Sequence, residues 1–277
     1  MMKKNLGGSE CVPLSETSTS QKSTCGIAVM AKASRPGLTK TRLVPPLSYE
    51  EAASFNTAFL KDVSRNILAA GIDSSVAGYM AFGPPGSEAF FKNNLPAEIG
   101  LLDVWLPNFG DCLFKAICDL LDRGHASAVV LNSDSPTLPT SILIETARLL
   151  AEPGDRAVLG PSNDGGYYLL GLKQKHRRLF EDVAWSTETV ADETRARARE
   201  IGLELCELPT WYDVDDAAAL RMLHGEVTGL GAFDATLRSH DAPNTAALLS
   251  SLMQRPEFCE RLGIRRTQPE RTASVPA

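Results

Sequence analysis

The sequence predicts an α/β protein built on a mostly parallel sheet with helices on both faces. Three observations carry this. Short apolar runs, clearest at residues 26–31 and 128–131, are too brief for helices and rich in the residues of buried parallel strands. Stretches with apolar residues at helical spacing lie between such runs. Strand and helix signals alternate along the chain, which calls for crossover connections over a parallel sheet.

The elements follow in order. Residues 1–24 are polar, rich in Ser, Thr and Lys, and aperiodic, and are expected to form a flexible tail. Residues 26–31 are the first strand. The loop after it, residues 32–43, carries Lys32, Arg35, Lys40 and Arg42 and no acid, and Pro45-Pro46 ends it. Ser48 with Glu51 three residues on is a capping box, opening a helix that runs to about Ala70 with Phe55, Phe59, Val63 and Ile67 at helical spacing. Residues 74–82 read as the second strand, broken by Gly83-Pro84-Pro85-Gly86. A short helix around Ala89-Phe90-Phe91 leads to a third strand over residues 101–106, then a helix over residues 111–123. The fourth strand, residues 128–131, precedes a helix over residues 140–150.

Residues 157–159 form another strand. Asp164-Gly165-Gly166 then reads as a turn, because paired glycines supply freedom at positive φ, and the apolar run after it adds an antiparallel strand. A charged amphipathic helix over residues 188–202, a strand over residues 203–208 and a helix over residues 217–224 complete a domain of residues 25–225. Residues 226–277 are an extension that is partly helical, over residues 245–253, and loose from Arg265 onward.

Composition narrows the function. The chain has 277 residues, 43% of them hydrophobic and 22% charged, as in a soluble globular protein. A net charge of -6 argues against broad nucleic-acid binding, which needs a basic face. No apolar run approaches the ~18 residues of a membrane span. Met1-Met2-Lys3-Lys4 is followed by no apolar segment, so no secretory signal is expected. Six cysteines form no Cys-x-x-Cys pair, which suits reduced, structural thiols in the cytoplasm.

Four cations in one loop of an acidic protein point to an anionic ligand, since arginine forks and lysine ammonium groups both match phosphate oxygens. A solvated surface loop is the alternative. The loop is no P-loop, because Ser34 and Thr39 stand where glycines are required. Asp134 follows the fourth strand, where open α/β sheets bind ligands. It either caps the next helix or holds a divalent cation shared with a substrate's phosphates. Asp213, Asp215 and Asp216 form a second acidic cluster before a helix. Asp215 suits the N-cap, and it is also the first choice for a second metal contact, with Asp213 next. Asp164 either starts its turn or deprotonates an acceptor hydroxyl. Tyr167 and Tyr168 alternate faces, so one can line a pocket. Trp185, Ser186 and Thr187 are core and cap residues or part of that pocket. There is no Gly-x-Ser-x-Gly elbow.

Five motifs stand in order: residues 31–43 with Lys32, Lys40 and Arg42, then Ser133-Asp134-Ser135-Pro136-Thr137-Leu138-Pro139, Asp164-Gly165-Gly166-Tyr167-Tyr168, Trp185-Ser186-Thr187 and Asp213-Val214-Asp215. Over residues 25–225 the chain resembles the bacterial glycosyltransferase-like family of transferases associated with radical-SAM enzymes, some of them assigned to arsenosugar biosynthesis. More distantly it is similar to the guanylyltransferase of deazaflavin cofactor synthesis and to molybdenum-cofactor nucleotidyltransferases. The resemblance implies a GT-A fold, the Rossmann-like sheet of nucleotide-diphospho-sugar transferases. By position it implies a nucleotide role for Lys32, Lys40 and Arg42 and a metal role for Asp134. With the residue reading, the expected nucleotide site is Ala31, Lys32, Arg35, Lys40, Arg42 and Ser133, with Mg²⁺ or Mn²⁺ on Asp134 and Asp215. Asp134 and Asp164 are the expected catalytic residues, and Gly165, Gly166, Tyr167, Trp185, Ser186 and Thr187 the expected acceptor pocket. The substrates are then a nucleotide-sugar, or a nucleoside triphosphate, and a small acceptor. The chain departs from the family in two places. Pro136 takes the second place of the usual DxD pair, and residues 107–113 lack the usual Gln and later Arg, for which Lys115 could partly stand in.

Overall fold

Strand β1 (Cys25–Lys32) is an interior strand of a seven-stranded sheet. Ile27, Ala28 and Val29 are wholly buried there, which is why an almost unbroken apolar run was needed. The computed structural model describes residues 24–264. The tail expected over residues 1–24 lies, except for Thr24, outside the described residues, as does the end from Arg265.

The other strands are β2 (Val76–Gly83), β3 (Gly100–Asp103), β4 (Ser127–Leu131), β5 (Arg156–Pro161), β6 (Tyr167–Leu172) and β7 (Glu204–Glu207). Their order is β3-β2-β1-β4-β6-β5-β7. Only β6 runs antiparallel to its neighbours, pairing Leu131 with Leu169 on one side and Leu159 with Leu170 on the other. The carboxyl ends of β1 and β4 are therefore adjacent, with Val29 opposite Leu131.

One face of the sheet is covered by α1 (Tyr49–Asp73), α2 (Glu88–Asn94), α4 (Thr140–Ala151) and α6 (Ala217–Val227). Phe55, Phe59, Val63 and Ile67 of α1 are buried here, as their spacing predicts. The Ser48–Glu51 capping box is present, with Glu51 N donating to Ser48 Oγ at 3.2 Å and Ser48 N to Glu51 Oε2 at 2.8 Å. The other face is covered by α3 (Phe109–Asp122) and α5 (Val190–Glu200), through Ala116, Ile117, Leu120 and Ala198.

Residues beyond α6 add α7 (Pro243–Met253) and α8 (Pro256–Leu262) against α1. The α7 N-terminus is tied to a wholly buried carboxylate of α1. Asp62 accepts from Asn244 N at 2.9 Å, Asn244 Nδ2 at 2.6 Å and Thr245 N at 2.7 Å. These bonds satisfy donors that open a helix and have no partner inside it.

Three expectations need correction. The third strand stops at Asp103 rather than residue 106. Val104 N makes the last ladder bond, to Phe82 O at 3.1 Å, and Pro84 and Pro85 then offer no N–H. Asp216, not Asp215, is the N-cap of α6, accepting from Ala219 N at 2.8 Å. Asp134 does not cap α4, whose N-cap position is Pro139.

Candidate functional site

The loop after β1 closes on itself before it reaches Lys40. Arg35 O accepts from Leu38 N at 3.0 Å and Thr39 N at 3.2 Å, and from Thr39 Oγ1 at 3.1 Å. Lys40 then adopts a left-handed backbone, φ 52°, a conformation that costs a non-glycine residue energy and that the surroundings must hold in place. Its ammonium donates to Asp134 Oδ2 at 2.9 Å, Asp215 Oδ1 at 3.2 Å and Val214 O at 2.8 Å. It also lies 5.2 Å from the centroid of Phe59. The Lys40 side chain is only 5% exposed, whereas Arg42, with Nη1 3.4 Å from Asp215 Oδ2, is 68% exposed. Lys40 is thus part of the site's frame, and Arg42 is open to a ligand.

The two carboxylates come from separate loops laced together. Val214 N donates to Asp134 O at 2.8 Å, and Ser135 Oγ to Tyr212 O at 2.7 Å. Burial pushes the Asp134 carboxyl up, but the Lys40 charge and hydrogen bonds from Ser133 and Lys40 outweigh it and leave it below the usual range. Burial and the Asp134 charge raise Asp215 against the pull of Lys40. Asp213 accepts from Ser162 Oγ at 3.0 Å. Burial first, then the charges of Asp164 and Asp215, hold its carboxyl up at about 6.

Lys40, Arg42, Asp134 and Asp215 open onto a cleft of about 400 Å³ at the carboxyl ends of β1, β2 and β4. Of the expected nucleotide residues, Ala31, Lys32, Lys40, Arg42 and Ser133 line it. Asp134, Asp215 and Tyr167 line it too. Arg35 does not, because the closed turn leaves its side chain on the outer surface.

Asp164 is exposed at the β5–β6 turn, outside the cleft lining, with Oδ1 accepting from Gly166 N at 2.9 Å. Gly165 has φ +89° and joins this turn to α5, its carbonyl accepting from Ala191 N at 3.0 Å. Trp185 borders a second, open hollow with Asp111 and Arg177, and packs edge-on to Phe109 at 5.7 Å and Tyr167 at 6.4 Å. Ser186 follows it with φ 68°, and Thr187 Oγ1 donates to Ala184 O at 2.7 Å within the same loop. Lys115 pairs with Asp119 at 2.7 Å on α3, away from the cleft lining.

Sequence reasoning missed the apolar wall of the cleft. Trp105 and Phe109 line it while remaining 47% and 51% exposed. The Trp105 ring rests on Gly83, where an added Cβ would come within 1.9 Å of it. An aromatic on each side of Pro107 and Asn108, Trp105 in the connection and Phe109 opening α3, was the available signal. Asn132 was missed as well. Its Oδ1 and the Tyr167 hydroxyl are buried in the cleft without a hydrogen-bond partner among the described residues.

The donor set suits a hard cation. Asp134 and Asp215 offer carboxylate oxygens to one point, now held by the Lys40 ammonium. No cluster of three or more His, Cys, Asp or Glu able to hold a metal exists among the described residues. An ion here would be completed by phosphate oxygens and water, the usual arrangement for Mg²⁺.

The fold is that of nucleotide-diphospho-sugar transferases. It matches a crystal structure assigned to that class from Desulfovibrio desulfuricans G20 with a TM-score of 0.71 and 24% identity, over 86% of this chain and 97% of that one. Residues 67–187 match the family described as uncharacterized protein conserved in bacteria, DUF2064. This span includes Asp134 and Tyr167 but neither Lys40 nor Asp215. Weaker overlaps are found with CMP:2-keto-3-deoxy-manno-octonic acid synthetase solved with CTP (TM-score 0.48, 11% identity, 75% of this chain and 100% of that one). A cytidylyltransferase from Leptospira borgpetersenii gives a similar figure (TM-score 0.48, 12% identity, 85% and 96%). No curated protein matches the chain.

Proposed function

We propose that the protein is a Mg²⁺- or Mn²⁺-dependent glycosyltransferase that moves a sugar from a nucleotide-diphosphate donor to a small acceptor. The observation that carries this is the meeting of Lys40 and Arg42 with Asp134 and Asp215 at the edge of one cleft. Such a pairing of cations and carboxylates suits a diphosphate bridged by a divalent ion. Asp134 and Asp215 would hold the ion. When bound, it would supply positive charge to the departing diphosphate. Lys40 holds the carboxylate pair together and Arg42 adds a donor to the same oxygens, and their charge counts for more in a cleft with an apolar wall than in water. Asp164 keeps the role of general base in this reading, with its exposed carboxylate close enough for its charge to raise Asp213.

Sugar transfer, rather than nucleotidyl transfer, is proposed on the resemblance of the five motifs. The finer placement, among transferases associated with radical-SAM enzymes and arsenosugar synthesis, belongs to this proposal through the resemblance of the five motifs. So does a cytoplasmic site of action, which the five free cysteines among the described residues suit. No described helix is long and apolar enough to cross a membrane.

The test is incubation with Mn²⁺, a panel of nucleotide-sugars and small acceptors, and in parallel with nucleoside triphosphates. Release of nucleoside diphosphate from a nucleotide-sugar is the expected result, abolished in Asp134→Ala. Pyrophosphate release from a triphosphate would instead identify a nucleotidyltransferase. Nucleotide binding without turnover across both panels would identify a binding module.

A further inference from the structure

We infer that Glu226, outside the cleft lining, is a positioning residue that sets the two carboxylate-bearing loops through Tyr212. The inference rests on the reading of Asp134 and Asp215 as the ion-holding pair.

Tyr212 is wholly buried and directly precedes Asp213-Val214-Asp215. It is held at both ends. Its carbonyl accepts from Ser135, the neighbour of Asp134. Its hydroxyl donates to Glu226 Oε2 at 2.6 Å and pairs with Thr137 Oγ1 at 3.0 Å. With the Tyr212 proton committed to the carboxylate, Thr137 is the donor in the second bond. The ring is therefore a peg through both loops, and its tip is seated on Glu226.

Glu226 is in turn fixed by the chain that follows α6. Its Oε1 accepts from Phe233 N at 3.1 Å and Ser239 Oγ at 2.9 Å. The Phe233 ring closes over Tyr212 and Trp211 at 5.1 and 5.3 Å. His240 N donates to Thr137 O at 3.0 Å, tying the same segment to the Asp134 loop. One carboxylate thus gathers four elements: the Tyr212 segment, the Asp134 loop through Thr137, α6 and residues 233–240. Charge-assisted hydrogen bonds of this kind are the stronger ones and order the groups they join. A support that only added stability would not need to end on the residue between the two loops.

The experiment measures Mn²⁺ affinity, by the paramagnetic resonance of free Mn²⁺, with UDP or GDP present. The proteins are the wild type, Tyr212→Phe, Glu226→Ala, Glu226→Gln and the Tyr212→Phe/Glu226→Ala double variant, each well below its own melting temperature. Tyr212→Phe and Glu226→Ala are expected to weaken Mn²⁺ binding about tenfold. The double variant should be no weaker than the worse single one, because both act through one bond. Glu226→Gln, which still accepts from Phe233 and Ser239, should stay within about twofold of the wild type. Lower melting temperatures with unchanged Mn²⁺ affinity would overturn the inference, and so would losses that add. If Glu226→Ala fails to fold, Tyr212→Phe decides alone, since it removes one hydroxyl. A wild type that binds no Mn²⁺ overturns the reading of the site and this inference with it. Binding in the wild type that both single variants retain overturns the inference alone.

Discussion

Val214 donates its backbone N–H to the carbonyl oxygen of Asp134 at 2.8 Å. That one bond joins the loop after β4 to the segment before α6. It sets Asp134 and Asp215 on either side of the same lysine. Backbone lacing makes the pairing independent of any ligand, so the site is formed before a substrate arrives.

Lys40 and Arg42 should separate under mutation. Lys40→Met removes the buried counter-ion of two carboxylates and leaves Val214 O without its donor. A loss of about 1–3 kcal/mol in urea unfolding at pH 7.5 is expected. Arg42→Ala touches an exposed side chain, and should change stability by no more than about 0.5 kcal/mol. It should still weaken nucleoside diphosphate binding several-fold in calorimetry. The opposite ranking would make Lys40 the ligand contact and Arg42 the support.

Asp213 sets a pH dependence of stability. Its carboxyl is raised from 3.8 to about 6, so the folded protein holds that proton more tightly than the unfolded chain. The contribution is complete below about pH 4 and is lost as the pH rises through 6. Asp213→Asn stays neutral and can still accept from Ser162. Its melting temperature relative to the wild type should therefore climb between pH 4 and pH 7. A difference that is flat across that range would contradict the raised value.

Gly165→Ala should be severe. The backbone is at φ +89°, and a Cβ there would come within 2.0 Å of Glu188 O. The obstacle is a carbonyl rather than a side-chain tip, so the turn or the start of α5 must shift. A loss of about 2–4 kcal/mol is expected. Urea denaturation checks it, and a variant within 1 kcal/mol of wild type would refute it.

Asp62 should matter although it does not line the cleft. Asp62→Ala leaves the N–H groups of Asn244 and Thr245 buried without acceptors, at about 2–4 kcal/mol. Asp62→Asn keeps one acceptor oxygen and should lose less. Hydrogen exchange at Asn244 and Thr245 reports the same contact directly, and unchanged protection in Asp62→Ala would count against it.

Local signals carried the fold, and long-range ones hid part of the site. The β1 and β4 runs, the Ser48–Glu51 box and the glycine turn before β6 are written in neighbouring residues, and each is where the sequence predicts it. Lys40, Asp134 and Asp215 could be nominated by type, since their loops fall at strand ends. Their ion pairs depend on the β1–β4 adjacency and on Val214, which no spacing reveals. Trp105 and Phe109 were missed because an exposed aromatic in a connection or at a helix start looks like any other. The end of β3 was misplaced because it depends on prolines that follow β2. Residue 216 took the cap that 215 had been given because Lys40 and Arg42 already engage Asp215.

The pinning of α1 by α7 and α8 governs when this protein can fold during synthesis. Helix α1 emerges from the ribosome well before its partners, because the donors to Asp62 lie 182 and 183 residues further on and the Arg261 guanidinium that grips Glu51 at 2.8 and 2.9 Å lies 210 residues further on. Until then the nascent helix carries an uncovered apolar side and a carboxylate with no partner beneath it. Such a stretch is a natural client for a chaperone. A stalled or prematurely terminated chain would present the same exposed face to the cell's proteases.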